Sequence, residues 1–125
     1  MANSEIWDRE GALARIRGRE KLLFKLITAF CESIPEQYDE LLGAIAAPPS
    51  DSPDYENICA LAHGIKGAAA NVGAVQVQDI CARIEAATRD SPVDPQIQVL
   101  GQELSVAFPP LLACFNDYLS NADLA

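Results

Sequence analysis

The chain has 125 residues, half of them hydrophobic, with 18 acidic against 9 basic side chains and a formal charge of -9. That is enough for one hydrophobic core and too short for a core plus a separate nucleotide-binding catalytic domain, so a single domain over residues 1–125 is expected. The negative field repels phosphate backbones and anionic lipid headgroups, which makes nucleic acid and membrane surfaces poor partners.

The start, MANSEIWDREG, lacks a basic stretch followed by an apolar run. Asp8 reads as the cap of a short helix carrying Leu13 and Ile16, with Gly18 in the left-handed position that closes it. Leu23, Leu26, Ile27, Phe30, Ile34, Leu41 and Ile45 then recur at three- and four-residue steps, the stripe of a long amphipathic helix ending near Ala46. Pro35 lies inside it and predicts a kink or short break, since proline removes one backbone hydrogen bond. AAPPSDSP is a loop, and Ser52 with Pro53 marks the start of a third helix that runs to about Asn71. Gly73 supplies the turn into a fourth helix carrying Val77, Ile80, Cys81, Ile84 and Thr88.

Asp94 and Pro95 repeat the cap-and-proline signal. After them Ile97, Leu100, Leu104, Phe108, Leu111, Phe115 and Leu119 mark a last helix, which Pro109 and Pro110 are expected to bend near Ala107. No stretch is read as long enough to span a bilayer. Nothing alternates with period two, so the expected class is all-α, an antiparallel up-down four-helix bundle with a short additional N-terminal helix. Cys31, Cys59, Cys81 and Cys114 form no C-x-x-C pair and no second histidine exists, so no metal or cofactor is expected and the thiols read as reduced, small hydrophobes in a cytoplasmic protein.

The stretch AHGIKGAAANVGA, Ala62 to Ala74, holds the only histidine. On a helical wheel Ile58, Leu61, Ala62, Ile65, Ala69 and Val72 fall within about 60° of one direction, and His63 lies about 140° away from it. An exposed imidazole is therefore expected, rather than a core one. Around it stand Ala60, Gly64, Gly67 and Ala70, with Lys66 at the edge, where a solvated face normally carries long charged side chains. Two glycines within a helix cost roughly 1 kcal/mol each relative to alanine, which suggests that something must approach closely. A free imidazole lone pair with an ammonium group three residues on suits a nucleophile that accepts a phosphoryl group. Neither a P-loop nor a G-x-G-x-x-G loop is available to hold a nucleotide.

His63, Lys66, Gly67 and Gly73, followed by ICARIE at Ile80 to Glu85, resemble the signature of histidine phosphotransfer (HPt) domains, the relay modules of multistep two-component signalling. The similarity extends more loosely from Trp7 to Tyr118. Gly64 departs from the pattern, which often has a larger residue directly after the histidine. The resemblance implies that His63 takes a phosphoryl group from a receiver-domain aspartyl phosphate and passes it to another response regulator, without ATP-binding or autokinase activity of its own. Magnesium and most of the catalytic apparatus would then belong to the receiver. By the same resemblance Lys66 stabilises the phosphorylated state, Gly67 leaves room for the partner, and Glu85 orients the imidazole, although a solvated surface glutamate is equally open there.

Response-regulator receivers or a hybrid histidine kinase are the implied partners. They would dock on the small-residue face of Ala60, Gly64 and Ala70, with Arg83 either at its rim or simply solvated. A monomer is expected, with Trp7 available for a weak contact. Two alternatives remain. One is the substrate domain of a chemotaxis-type kinase, against which the end of the chain soon after its last helix counts as an expectation. The other is an adaptor bundle in which His63 is incidental.

Overall fold

The structure, a computed structural model, describes residues 6–46, 55–90 and 95–122. Five helices account for nearly all of them: α1 Arg9–Arg15, α2 Glu20–Ala46, α3 Tyr55–Val72, α4 Val75–Asp90 and α5 Gln96–Asn121. No strand occurs among the described residues. Contacts run from α2 to α3, α3 to α4, α4 to α5 and α5 back to α2, so the four long helices close a ring, and α1 lies against α2 and α3.

The stripes read from the sequence form the core. Leu23, Ile27, Leu41, Ile65, Ala69, Val77, Ile84, Leu104, Leu111 and Phe115 are fully buried, and each large one contributes about 1.5–3 kcal/mol by leaving water. Phe30 meets Phe115 edge-on at 5.3 Å between ring centroids, and Tyr38 stacks on Phe108 at 4.0 Å. Cys81 sits in this interior, where burial pushes its thiol up to about 12. It is therefore a protonated packing group and no nucleophile. All four cysteines are free thiols.

Both proline-bearing helices continue without interruption, α2 through Pro35 and α5 through Pro109 and Pro110. The reason is position. Pro109 and Pro110 are exposed, as are Ser105 and Val106, whose carbonyls lose their partners and can turn to water. Continuity also corrects one expectation, because α5, with 26 residues, is long and apolar enough by length and composition alone to cross a membrane. Its apolar face, from Ile97 and Leu100 to Leu111 and Phe115, is core. Pro95 is itself the N-cap residue of α5. Ser52, Pro53 and Asp94 lie outside the described residues.

α1 fixes the end of the ring where α3 turns into α4. Asp8 caps α1, its carboxylate accepting from the Gly11 N–H at 3.0 Å, and α1 ends in left-handed backbone at Arg17 and Gly18. The α3 terminus closes as a Schellman turn, with the Ala74 N–H donating to the Ala69 carbonyl at 2.9 Å and Gly73 at φ 76°. Helix ends leave carbonyls without intrahelical partners. Here the α1 segment supplies them: Trp7 Nε1 donates to the Val72 carbonyl at 2.7 Å, the Asp8 N–H to Gly73 at 2.8 Å, and Arg15 to Ala70. A Cβ on Gly73 would stand 2.4 Å from the Asp8 carbonyl oxygen, so both conformation and contact demand glycine there. Trp7 is half-buried and packs edge-on to Phe115 and Tyr118.

Candidate functional site

α3 presents His63 outward because Ile58, Ala62, Ile65, Ala69 and Val72 occupy its buried face. The His63 side chain is 65% exposed. Ala60, Gly64 and Gly67 are exposed beside it, and a Cβ on Gly67 would meet no atom within 4 Å. Gly64 faces α2, where a Cβ would stand 3.4 Å from Gln37 Oε1. Ala70 is half-buried, since Arg15 from α1 reaches across to its carbonyl. The protein surface here is open. His63 lines neither of two surface hollows, one between α4 and α5 bordered by Ile80, Val99 and Val106, the other bordered by Arg19, Lys21 and Lys25.

α4 packs closely on α3 and brings Glu85 beneath the imidazole. Glu85 is buried, with only 2% of its surface exposed, so a solvated surface glutamate is excluded. Its position explains this: Glu85 is four residues after Cys81 and next to Ile84, both wholly buried, and therefore on the edge of the core stripe that faces α3. His63 Nδ1 lies 2.8 Å from Glu85 Oε2, and Lys66 Nζ donates to Oε1. Arg89, one turn further along α4, donates to Oε2 at 2.5 Å. A buried carboxylate requires such compensation. The Lys66 hydrogen bond, above all, holds the Glu85 carboxyl below its ordinary value of 4.5; burial pulls upward, while the His63 bond and the charges of Arg89 and Lys66 hold it down.

This charge state settles which ring nitrogen carries the proton. An ionised carboxylate only accepts hydrogen bonds, so His63 Nδ1 donates to Glu85. In the neutral ring, Nε2 then keeps its lone pair, and it makes no hydrogen bond among the described residues. Lys66 and Arg89 against Glu85 leave one net positive charge next to that lone pair.

Four residues singled out in the sequence thus come together: His63, Lys66, Gly67 and Glu85. Arg83 does not join them. Two residues from Glu85 is about 200° around a helix, and Arg83 instead pairs with Asp79 at 3.1 Å and with Glu103 of α5 at 3.5 Å. Sequence reasoning missed Arg89, for which the Glu85–Arg89 spacing of four residues was the available signal. Among the described residues no group of three or more His, Cys, Asp or Glu is placed to hold a metal ion.

Fold and site together define a class: an all-helical module that offers one open imidazole, orientated from behind by a buried carboxylate and flanked by cations. The Hpt domain model matches residues 25–121. The chain belongs to the Hpt domain family, the histidine phosphotransfer modules of two-component phosphorelays, which have no kinase activity of their own. The HPT domain from the Hpt sensor hybrid histidine kinase of Shewanella superposes with a TM-score of 0.82 at 19% identity, over 95% of this chain and 97% of that one, a likeness of fold. No curated protein matches significantly.

Proposed function

We propose that this domain is a phosphorelay intermediate that accepts a phosphoryl group on His63 from a receiver-domain aspartyl phosphate and hands it to the aspartate of another response regulator. The observation that carries the reading is the buried Glu85 carboxylate bonded to Nδ1 of an outward-facing imidazole. In the forward step the Nε2 lone pair forms the P–N bond as the P–O bond to the donor carboxylate breaks. The electron pair leaves with that carboxylate. No proton has to move, because the ring proton already resides on Nδ1, and Glu85 offsets the positive charge that the phosphorylated ring acquires.

Lys66 has three donors, so it can keep Glu85 and also bond an incoming phosphoryl oxygen. Gly67 keeps the approach to Nε2 clear, and Ala60, Gly64 and the rim of Ala70 form the docking face. The proposed architecture is an antiparallel up-down bundle closed at one end by α1, acting as a cytoplasmic monomer.

The test is incubation with a receiver domain charged by acetyl phosphate. An acid-labile, alkali-stable phosphate is expected on the chain, with uptake abolished in His63→Gln while thermal unfolding stays within about 1 kcal/mol, as for an exposed substitution. Labelling only by ATP and a kinase catalytic domain would move the chain to the chemotaxis-type class. Retained partner function in His63→Gln would make it an adaptor.

A further inference from the structure

The two cations on Glu85 are not equivalent. Lys66 donates to Oε1, while Arg89 donates to Oε2 at 2.5 Å, the same oxygen that accepts from His63 Nδ1 at 2.8 Å. The imidazole and the guanidinium are therefore neighbours through one shared atom. They differ in exposure as well, the Arg89 side chain being 64% exposed against 31% for Lys66. A guanidinium carries five N–H donors, and Glu85 is the one partner of Arg89 among the described residues. Most of its hydrogen-bonding capacity thus faces water beside the ring.

The course of the chain roots the two cations on opposite sides of the His63 and Glu85 pair. α3 turns back into α4 at Gly73. Lys66 stands three residues nearer to that turn than His63, about 4.5 Å along the helix, and Arg89 stands four residues farther from it than Glu85, about 6 Å. Charge then explains why Arg89 is free to leave Glu85. With a neutral ring, the buried carboxylate is compensated by Lys66 and Arg89. Once Nε2 carries a phosphoryl group and Nδ1 keeps its proton, the ring is itself a cation bonded to Oε2, and about two negative charges have appeared on its outer side.

We infer that Arg89 is a second phosphoryl-binding residue of this site: on phosphorylation its guanidinium moves from Glu85 Oε2 to the phosphoryl oxygens, opposite Lys66, and leaves Oε2 to the Nδ1–H. The inference rests on the phosphoryl-accepting role of His63 proposed above. Beyond the P–N bond of that step no covalent bond forms or breaks, and no proton moves. The planar fork of an arginine suits two oxygens of one phosphoryl group, a geometry that the point charge of a lysine does not offer. Arg83 is the contrast on the same helix, since it is turned toward Asp79 and Glu103.

The experiment loads His63 with phosphoramidate, a small donor that needs no receiver domain, and follows the arginine side chains by nitrogen-15 NMR. Wild type is compared with Arg89→Gln, Arg89→Lys and, as a control, Arg83→Gln. The Arg89 guanidinium signal, identified by its absence in Arg89→Gln, is expected to shift on loading while that of Arg83 stays in place. With an acetyl-phosphate-charged receiver domain, the equilibrium ratio of phosphorylated chain to phosphorylated receiver should fall about three- to tenfold in Arg89→Gln, less in Arg89→Lys, and not at all in Arg83→Gln. The same loss should persist when Arg89→Gln is made in a Glu85→Gln chain, because a direct contact does not run through the carboxylate. Circular dichroism checks that the variants stay helical, and Arg89→Lys carries the comparison if Arg89→Gln unfolds. An unmoved Arg89 signal, or a loss that vanishes in the Glu85→Gln chain, would overturn the inference and leave Arg89 as a support for Glu85. A shift on phosphoramidate loading with no charging by any receiver would remove the relay function alone. A chain that phosphoramidate leaves unmodified at His63 would remove both.

Discussion

Replacing Glu85 by glutamine tests the charge that organises the site while nearly preserving its shape. Three donors converge on the carboxylate, but they are not equally sheltered. The His63 and Arg89 side chains are 65% and 64% exposed, so screening holds each of those contributions below about 1 kcal/mol. Lys66, at 31%, provides the largest, about 1–2 kcal/mol. The amide oxygen of glutamine can still accept from His63, and both released cations can turn to water. The expected loss is therefore about 1–2 kcal/mol, or a Tm lower by about 4–10 °C for a chain of this size.

The pH dependence fixes the sign. Because the folded carboxyl titrates below its ordinary 4.5, its contribution is full above that value and is lost as pH falls through the folded one. Urea unfolding followed by circular dichroism should show a constant gap between wild type and Glu85→Gln from neutrality to about pH 5, closing at lower pH. A gap that stays the same at pH 3, or a neutral-pH loss above about 4 kcal/mol as for an uncompensated buried ion, would refute this account of the cluster.

Gly73→Ala places a Cβ 2.4 Å from the Asp8 carbonyl at φ 76°. A loss of about 2–4 kcal/mol is expected in thermal unfolding, with the fluorescence of Trp7 moving to longer wavelength as α1 lifts away. Gly67→Ala meets nothing within 4 Å, so the helix should gain about 0.5–1 kcal/mol while phosphoryl uptake slows several-fold, a split that separates access from folding. Nitrogen-15 NMR of the His63 ring, recorded where the ring is neutral, should show the proton on Nδ1 in wild type. Predominance of the Nε2–H form would contradict the donor assignment made from Glu85.

The helices were legible because each repeats its apolar residues with a helical period, and the outward direction of His63 followed from the same repeat along α3. What one helix cannot reveal is what its neighbour places underneath. Glu85 reads as ambiguous on α4 alone, since it lies at the edge of the stripe, and only the docking of α3 against α4 makes it buried. Arg89 and the rotation of Arg83 toward α5 follow from that docking as well. The docking of α1 was hidden for a similar reason: the carbonyls it satisfies belong to a helix end more than fifty positions along the chain. Pro109 and Pro110 lie inside one helix, as the spacing of apolar residues across them implied; what the sequence does not show is whether the carbonyls they leave unpaired face water or core.

On the proposed function, these features explain why an open imidazole is useful. A histidine on a bare helix face is free to turn and to exchange its proton between two nitrogens, and either freedom misdirects a nucleophile. Burying the ring beneath other side chains would remove both freedoms but also block a protein-sized donor. Glu85 resolves the conflict by acting from the inner side: its charge is kept by Lys66 and Arg89, it fixes the Nδ1 proton, and it leaves Nε2 facing the solvent. The stability of that carboxylate depends in turn on α3 and α4 staying in register, which the Gly73 turn and the α1 clasp on Ala70, Val72 and Gly73 enforce. Loosening α1 should therefore weaken phosphoryl transfer without touching any residue at the imidazole.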